Sequence, residues 1–369
     1  MMSRPSLAAA IVLASGLACW GLYVGSRGDR ASPPTAAAST MVPRTPPRSQ
    51  PAGADWRSLR ETCDGSQDPE TLRTQLAGLK EKWLEDDLHT VAQTAARLLR
   101  SGEDAATGMS LEVGPGGSLR GWPTMRVFLL DVLAIADPDL AVEIAREVLA
   151  GTRSAEEYAL ALKPLLMEGP WRASEEELQA HFSKLLWTRD WQTREGFAEA
   201  LDLARVVSSP GTAEILARWM DASPPALEAG EMALHETAAK APRLFVELIS
   251  GDRTLFADQP ELRAGLMARG TVSEEGQAAG IESYLKNPAI PAAEKETFLK
   301  LYPLRSATSG HRLYGTLPKP FERGQVAADD RAALEAVTRW KTDPSLAPLL
   351  PSITALEGRL QTWVNQAED

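Results

Sequence analysis

The chain has 369 residues, 44% of them apolar, a net charge of −11 at pH 7 and only two cysteines. That length exceeds what one hydrophobic core organises, and two cysteines are too few for a disulfide scaffold. The acidity opposes binding to nucleic acid, whose phosphates are held by clustered Lys and Arg, and opposes docking on anionic lipid.

The first element is Ser6–Gly25, twenty residues without a charge. At 1.5 Å per residue it makes a helix about 30 Å long, the thickness of a hydrocarbon core. Trp20 and Tyr23 lie toward its outer end, where aromatic rings prefer the interface. Residues 1–26 read as a signal anchor or signal peptide. Retained, they tether the protein with its folded part on the periplasmic or extracellular side. Cleaved, with Gly16 and Ala18 at the minus-three and minus-one sites, they leave a secreted protein. The segment Gly16, Leu17, Ala18, Cys19 is also similar to a bacterial lipobox with Leu one place out of position, which would put a lipid on Cys19.

Residues 27–55 are rich in Pro, Ala, Ser and Thr and cannot bury enough apolar surface to fold; they read as a disordered, extended spacer. Five arginines and two aspartates fall at or before Asp55, which leaves a net charge of −14 on the remainder. Cys19 lies in the apolar run, so the folded part has no pair of cysteines for a disulfide.

From Trp56 onward the signal is helical. Met125, Phe128, Leu129, Val132 and Leu133 follow the i, i+3, i+4, i+7, i+8 pattern, and Leu140, Ile144 and Val148 resume it after Asp137-Pro138. Asp68-Pro69, Asp137-Pro138, Ser209-Pro210 and Asp343-Pro344 read as helix starts, with an N-cap followed by proline at the first position. Ser154 with Glu157 and Ser174 with Glu177 have the spacing of capping boxes. Helices are expected near 69–83, 85–100, 123–136, 138–150, 154–168, 174–188, 194–207 and 210–221. They continue near 225–240, 242–250, 259–269, 273–286, 291–301, 327–342 and 346–366. The short joints make neighbours antiparallel, and stacked hairpins bury such a succession economically.

Leu129–Gly151 and Ala213–Pro242 each hold a helix ending in an acidic residue, a turn with proline and a second helix. In this plan the chain resembles α-solenoids of the HEAT-like or tetratricopeptide-like kind, although no fixed repeat length is visible. The fold expected is all-α: an irregular α-solenoid of stacked antiparallel hairpins behind the apolar helix and linker. Residues 56–326 form the repeat domain and 327–369 a C-terminal hairpin capping it. The resemblance implies an interaction surface.

Two stretches interrupt the helices. Thr107–Pro123 alternates at Leu111 and Val113, turns at Gly114–Gly117 and returns through Leu119, as a small β-hairpin does. Its glycines lack the flanking strand, helix and lysine of a phosphate cradle. Tyr302–Gln325 has no helical period and carries Arg305, His311, Arg312, Lys319 and Arg323. Such a loop either binds a carboxylate-bearing ligand or partner through Arg305, His311 and Arg312, or closes over the protein's own acidic helices.

Catalytic constellations are incomplete. His235-Glu236 begins like HExxH, but Ala239 stands where the second zinc ligand belongs. Ser283–Lys286 spells SxxK without its companion motifs, and no GxSxG elbow occurs. No metal or cofactor set is read. Ten tryptophans are the compositional oddity. Trp187 and Trp191, with Asp190 and Glu195, suit a glycan platform, where indoles stack on sugar rings and carboxylates serve the hydroxyls; otherwise such rings fill wedges between helices. The expected function is a noncatalytic, membrane-tethered, exported scaffold for a protein or peptide partner. The alternative is an exported all-α glycan-binding or glycan-cleaving enzyme.

Overall fold

The computed structural model describes residues 60–61, 63, 68–85, 87–166, 172–222, 224–252, 254–305, 312–314 and 323–368. The apolar run 6–25, the linker 27–55, Trp171, His311 and most of the basic loop lie outside them. Among the described residues no helix is long and apolar enough to cross a membrane. Gln50–Asp369 form one compact unit.

The described residues are mostly helical, with one small sheet. Helices α1 (Pro69–Glu85) and α2 (Leu88–Ser101) precede β1 (Glu112–Val113), a 3-10 turn (Pro115–Gly117) and β2 (Leu119–Gly121). Then come α3 (Met125–Ala136), α4 (Pro138–Gly151), α5 (Ala155–Leu166) and α6 (Glu175–Trp187). Short α7 (Phe197–Ala200) and α8 (Asp202–Val207) lead to α9 (Pro210–Asp221), α10 (Leu227–Lys240), α11 (Pro242–Gly251) and α12 (Pro260–Met267). The chain ends with α13 (Glu275–Lys286), α14 (Ala292–Leu301), α15 (Arg323–Thr342) and α16 (Leu350–Glu368).

The start signals work as their chemistry requires. Thr124, Asp137, Ser174 and Ser209 each accept the amide of the residue three positions on. The capping boxes are half made: Glu157 and Glu177 give their amides to Ser154 and Ser174, but their carboxylates turn to Arg126 and Arg146 on earlier helices. An arginine one layer away offers a charge-assisted bond that a backbone amide cannot match. The Thr107–Pro123 stretch does contain an antiparallel pair, β1 with β2, in which Glu112 faces Gly121 and Val113 faces Leu119.

Two expected helices differ. The one placed at 194–207 begins late and breaks, because Gly196 takes the left-handed conformation (φ 82°) close against the Glu156 backbone. Before it, the Trp191 indole donates to the Arg153 carbonyl and the Gln192 amide to that of Leu186, which holds this stretch in turns. The helix placed at 346–366 opens as a 3-10 turn, Pro344–Leu349, and becomes α-helical from Leu350. Pro348 is part of the reason, since proline removes an amide from the ladder.

Packing runs mostly between chain neighbours: α1 meets α2 and α3, α3 meets α4 and α5, α10 meets α11 and α12, α12 meets α14 and α14 meets α16. Helices α15 and α16 lie against each other. Helix α5 is apolar nearly all round and buried along its length, as a helix enclosed by others must be. Aromatic rings fill the gaps between helices: Trp83 and Trp122 both meet Phe128, Phe197 meets Trp219, and Phe298, Tyr302 and Trp340 form a series across α14 and α15.

Three ion pairs join residues 31 positions apart: Arg126 with Glu157, Arg146 with Glu177 and Arg263 with Glu294. Other long-range pairs span different separations, such as Lys80 with Asp131 and Arg312 with Glu236.

Candidate functional site

The residues Arg312, Leu313 and Tyr314 pack against segments at least 76 positions away in the chain. Tyr314 is buried; its hydroxyl donates to the Ala159 carbonyl (2.8 Å), in the middle of α5, and its amide to Asp202 (3.3 Å). Asp202 is also held bidentately by Arg205, at 2.5 and 3.0 Å. Arg312 pairs with Glu236 on α10, its Nε donating at 2.9 Å. Leu313 lies over Gly117, whose carbonyl accepts from the buried Lys163 ammonium. A Cβ on Gly117 would meet the Leu313 carbonyl at 2.5 Å, and its φ of +76° favours glycine on its own. Gly117→Ala should therefore lower stability by about 1–3 kcal/mol. Gly116→Ala, at φ +65° with nothing within 4 Å, isolates the backbone part of that cost in the same urea titration.

Beside this segment is a cavity of about 350 Å³. Its walls come from Leu111 to Val113 at β1; Ala198, Glu199, Leu201 and Asp202 on α7 and α8; Ala229, Met232, Ala233 and Glu236 on α10; and Arg312 and Leu313. Most of that lining is apolar. Of its carboxylates, Asp202 is committed to Arg205, Glu236 to Arg312 and Glu112 to Arg73 (3.2 Å). Glu199 forms no ion pair among the described residues. Burial, and then the charges of Glu195 and Glu156, push its carboxyl above the ordinary range, against the pull of two backbone amides. Burial also lowers the Arg312 guanidinium, opposed by Asp202.

The described residues among those singled out from the sequence differ in exposure and partners. Trp187 is exposed at the end of α6 and Asp190 is exposed in the turn Arg189–Trp191. Trp191 is buried against Tyr158, with ring centroids 4.8 Å apart. Glu195 accepts the Leu111 amide at 2.8 Å, which ties the β1 segment down. An exposed pair of indoles beside two carboxylates is thus not what the chain forms; the inward turn of Trp191 removes one wall of the platform. Arg305 pairs with Asp330 at 2.6 Å and Arg312 with Glu236, so both described arginines meet the protein's own carboxylates. His311 lies outside the described residues. The SxxK lysine, Lys286, is exposed and paired with Asp343 at 3.0 Å.

His235 does not face the cavity's carboxylates as a ligand would. It is half-buried, its Nδ1 accepts from Arg269 Nε at 3.2 Å, and loss of solvent together with the Arg269 charge lowers it from 6.5 to about 4. Because the folded value lies below the unfolded one, the unfolded chain takes up the proton first as the pH falls. The stability held by neutral His235 is complete above about pH 6.5 and is lost between there and about 4, amounting to about 3 kcal/mol. His235→Gln should flatten that limb of a stability–pH curve measured from urea midpoints.

The cavity residues Glu199, Leu201, Asp202, Ala229 and Met232 left no mark in the sequence, since no motif or periodicity sets them apart from other helical positions. Only the inward break at Gly196 and the return of residues 312–314 bring them together. Among the described residues no group of three or more His, Cys, Asp or Glu side chains is placed to hold a metal ion. Comparison with protein-family models, curated proteins and solved structures finds no match.

Proposed function

We propose that the protein is an exported, membrane-tethered helical scaffold that binds a protein or peptide partner without catalysing a reaction. The observation that carries this reading is the cavity beside residues 312–314. Among the described residues it is walled mostly by apolar side chains, and three of the four carboxylates there are neutralised by arginines of the same chain. Charges locked in this way position backbone and shape a surface; a catalytic pair needs carboxylates left available to a substrate.

The architecture we infer is an irregular α-solenoid of stacked antiparallel hairpins. Packing between chain neighbours supports it. The uncharged run Ser6–Gly25 supports the tether, and the Pro-rich residues after it support a spacer that holds the folded unit off the bilayer. The glycan reading has less behind it, because Trp191 is in the core and Glu195 is occupied by the Leu111 amide.

The test is expression of the full chain in a bacterial host, separation of membrane from soluble exported fractions, and mass spectrometry of the mature amino terminus after mild crosslinking. An intact Met1 in the membrane fraction together with a recurrent protein partner is the expected result. A soluble product that begins at or beyond Cys19 overturns the tether. Binding to cell-wall glycan with no protein partner overturns the scaffold.

A further inference from the structure

The geometry points to a basic occupant: we infer that the cavity between β1, α8 and α10 receives a Lys or Arg side chain of a basic, amphipathic peptide, with Glu199 as its counter-charge. This rests on the scaffold reading above and names the chemistry of the partner. At about 350 Å³ the cavity is near the lower end of ligand sites, with room for one long side chain rather than a polymer. Lys and Arg lay their aliphatic stems on apolar surface and keep the charged head on a polar group. The cavity offers both parts, with Leu201, Ala229 and Met232 along the wall and Glu199 as the one carboxylate of its described lining that forms no ion pair among the described residues.

Charge decides the sign of the occupant. Among the described residues Arg312 is the only cation lining the cavity, and it is engaged by Glu236. Glu195 and Glu156 add negative potential at Glu199, so an anionic ligand meets repulsion while an incoming ammonium or guanidinium relieves a carboxylate that burial disfavours. Around it, residues 56–369 carry fourteen net negative charges, which steers a basic partner toward this unit. Apolar character of the partner follows from the mouth: Met232 lines the cavity and is exposed, which suits the apolar residues flanking the basic one.

Fluorescence anisotropy on the full chain tests this with an acetylated peptide of alternating Leu and Arg and with its counterpart bearing neutral citrulline for Arg. The expected result is saturable binding of the Arg peptide that weakens with salt and as the pH falls, and at least tenfold weaker binding of the citrulline peptide. Glu199→Gln, nearly isosteric, should also lower affinity at least tenfold, with an unchanged circular dichroism spectrum. Glu214→Gln removes the same formal charge from the exposed Arg218 pair on α9 and should change affinity less than twofold. Equal binding of both peptides, or binding by Glu199→Gln as tight as by the unsubstituted chain, overturns the inference. The copurified partner separates this from the broader reading. A partner retained equally by Glu199→Gln leaves the scaffold standing and ends the pocket assignment, whereas a partner lost only from Glu199→Gln supports both.

Discussion

Replacing Glu294 by alanine is expected to cost about 3–5 kcal/mol of folding stability, because it leaves a guanidinium buried without its counter-charge. Glu294 and Arg263 are among the most enclosed charges of the fold, with side-chain exposures of 0% and 5%. Arg263 donates through Nε and a terminal nitrogen at 2.7 and 2.6 Å, and the Tyr284 hydroxyl donates to the same carboxylate at 2.7 Å. The pair links α12 to α14, and Tyr284 brings in α13. Urea denaturation followed by circular dichroism reads the loss. The double replacement Arg263→Met with Glu294→Leu should recover most of it, since two apolar side chains of similar size remove the unpaired charge together with its partner. If the single replacement costs less than about 1 kcal/mol, the pair is solvated in solution and does not join these helices as described.

Tyr314→Ala is expected to destabilise by a similar amount, about 3–5 kcal/mol, as large aromatic truncations in cores do. Here the cavity would open at the crossing of three parts of the chain, because Tyr314 reaches Ala159 on α5 and Asp202 on α8 from a segment more than a hundred residues away. Tyr314→Phe keeps the ring and loses one hydrogen bond, so it should cost only about 0.5–1.5 kcal/mol. Hydrogen exchange separates this effect from a general loosening. With Tyr314→Ala, amides of α5 and α8 should exchange faster while those of α13 and α16 keep their protection. Uniform loss of protection would mean that the segment does not act as a local brace.

Much of the helical content was legible in the chain. The apolar spacing of Met125 to Leu133 and the Asp-Pro and Ser-Pro steps carry their own geometry, so α3, α4 and α9 begin within two residues of where they are expected. Local chemistry suffices there: a capping oxygen and a proline act on amides a few residues away. The break before α7 was not legible. It arises because Trp191 and Gln192 turn inward to bond the carbonyls of Arg153 and Leu186, and Gly196 then fits against Glu156. The contacts with Arg153 and Glu156 are invisible to a reading of neighbours along the chain.

The candidate site divides in the same way. Trp187 and Trp191 are one helical turn apart in number, which suggested one surface, yet one indole is in solvent and the other in the core. Helical spacing stops being a guide where the helix stops, and α6 ends at Trp187. Arg312 was recognised as a basic residue in an unusual loop, but its engagement of Glu236 follows only from the path of residues 312–314.

By itself the sequence determined what short-range physics controls: helical class, most helix starts, the small hairpin, the acidity of the folded part and the absence of complete catalytic motifs. The tertiary structure alone decided which carboxylates are neutralised, which tryptophans are buried, and that β1, α8, α10 and residue 313 enclose one cavity. The reason is that a side chain's burial and charge partners depend on segments tens to hundreds of residues away, and the chain records those only through the folded backbone that brings them together.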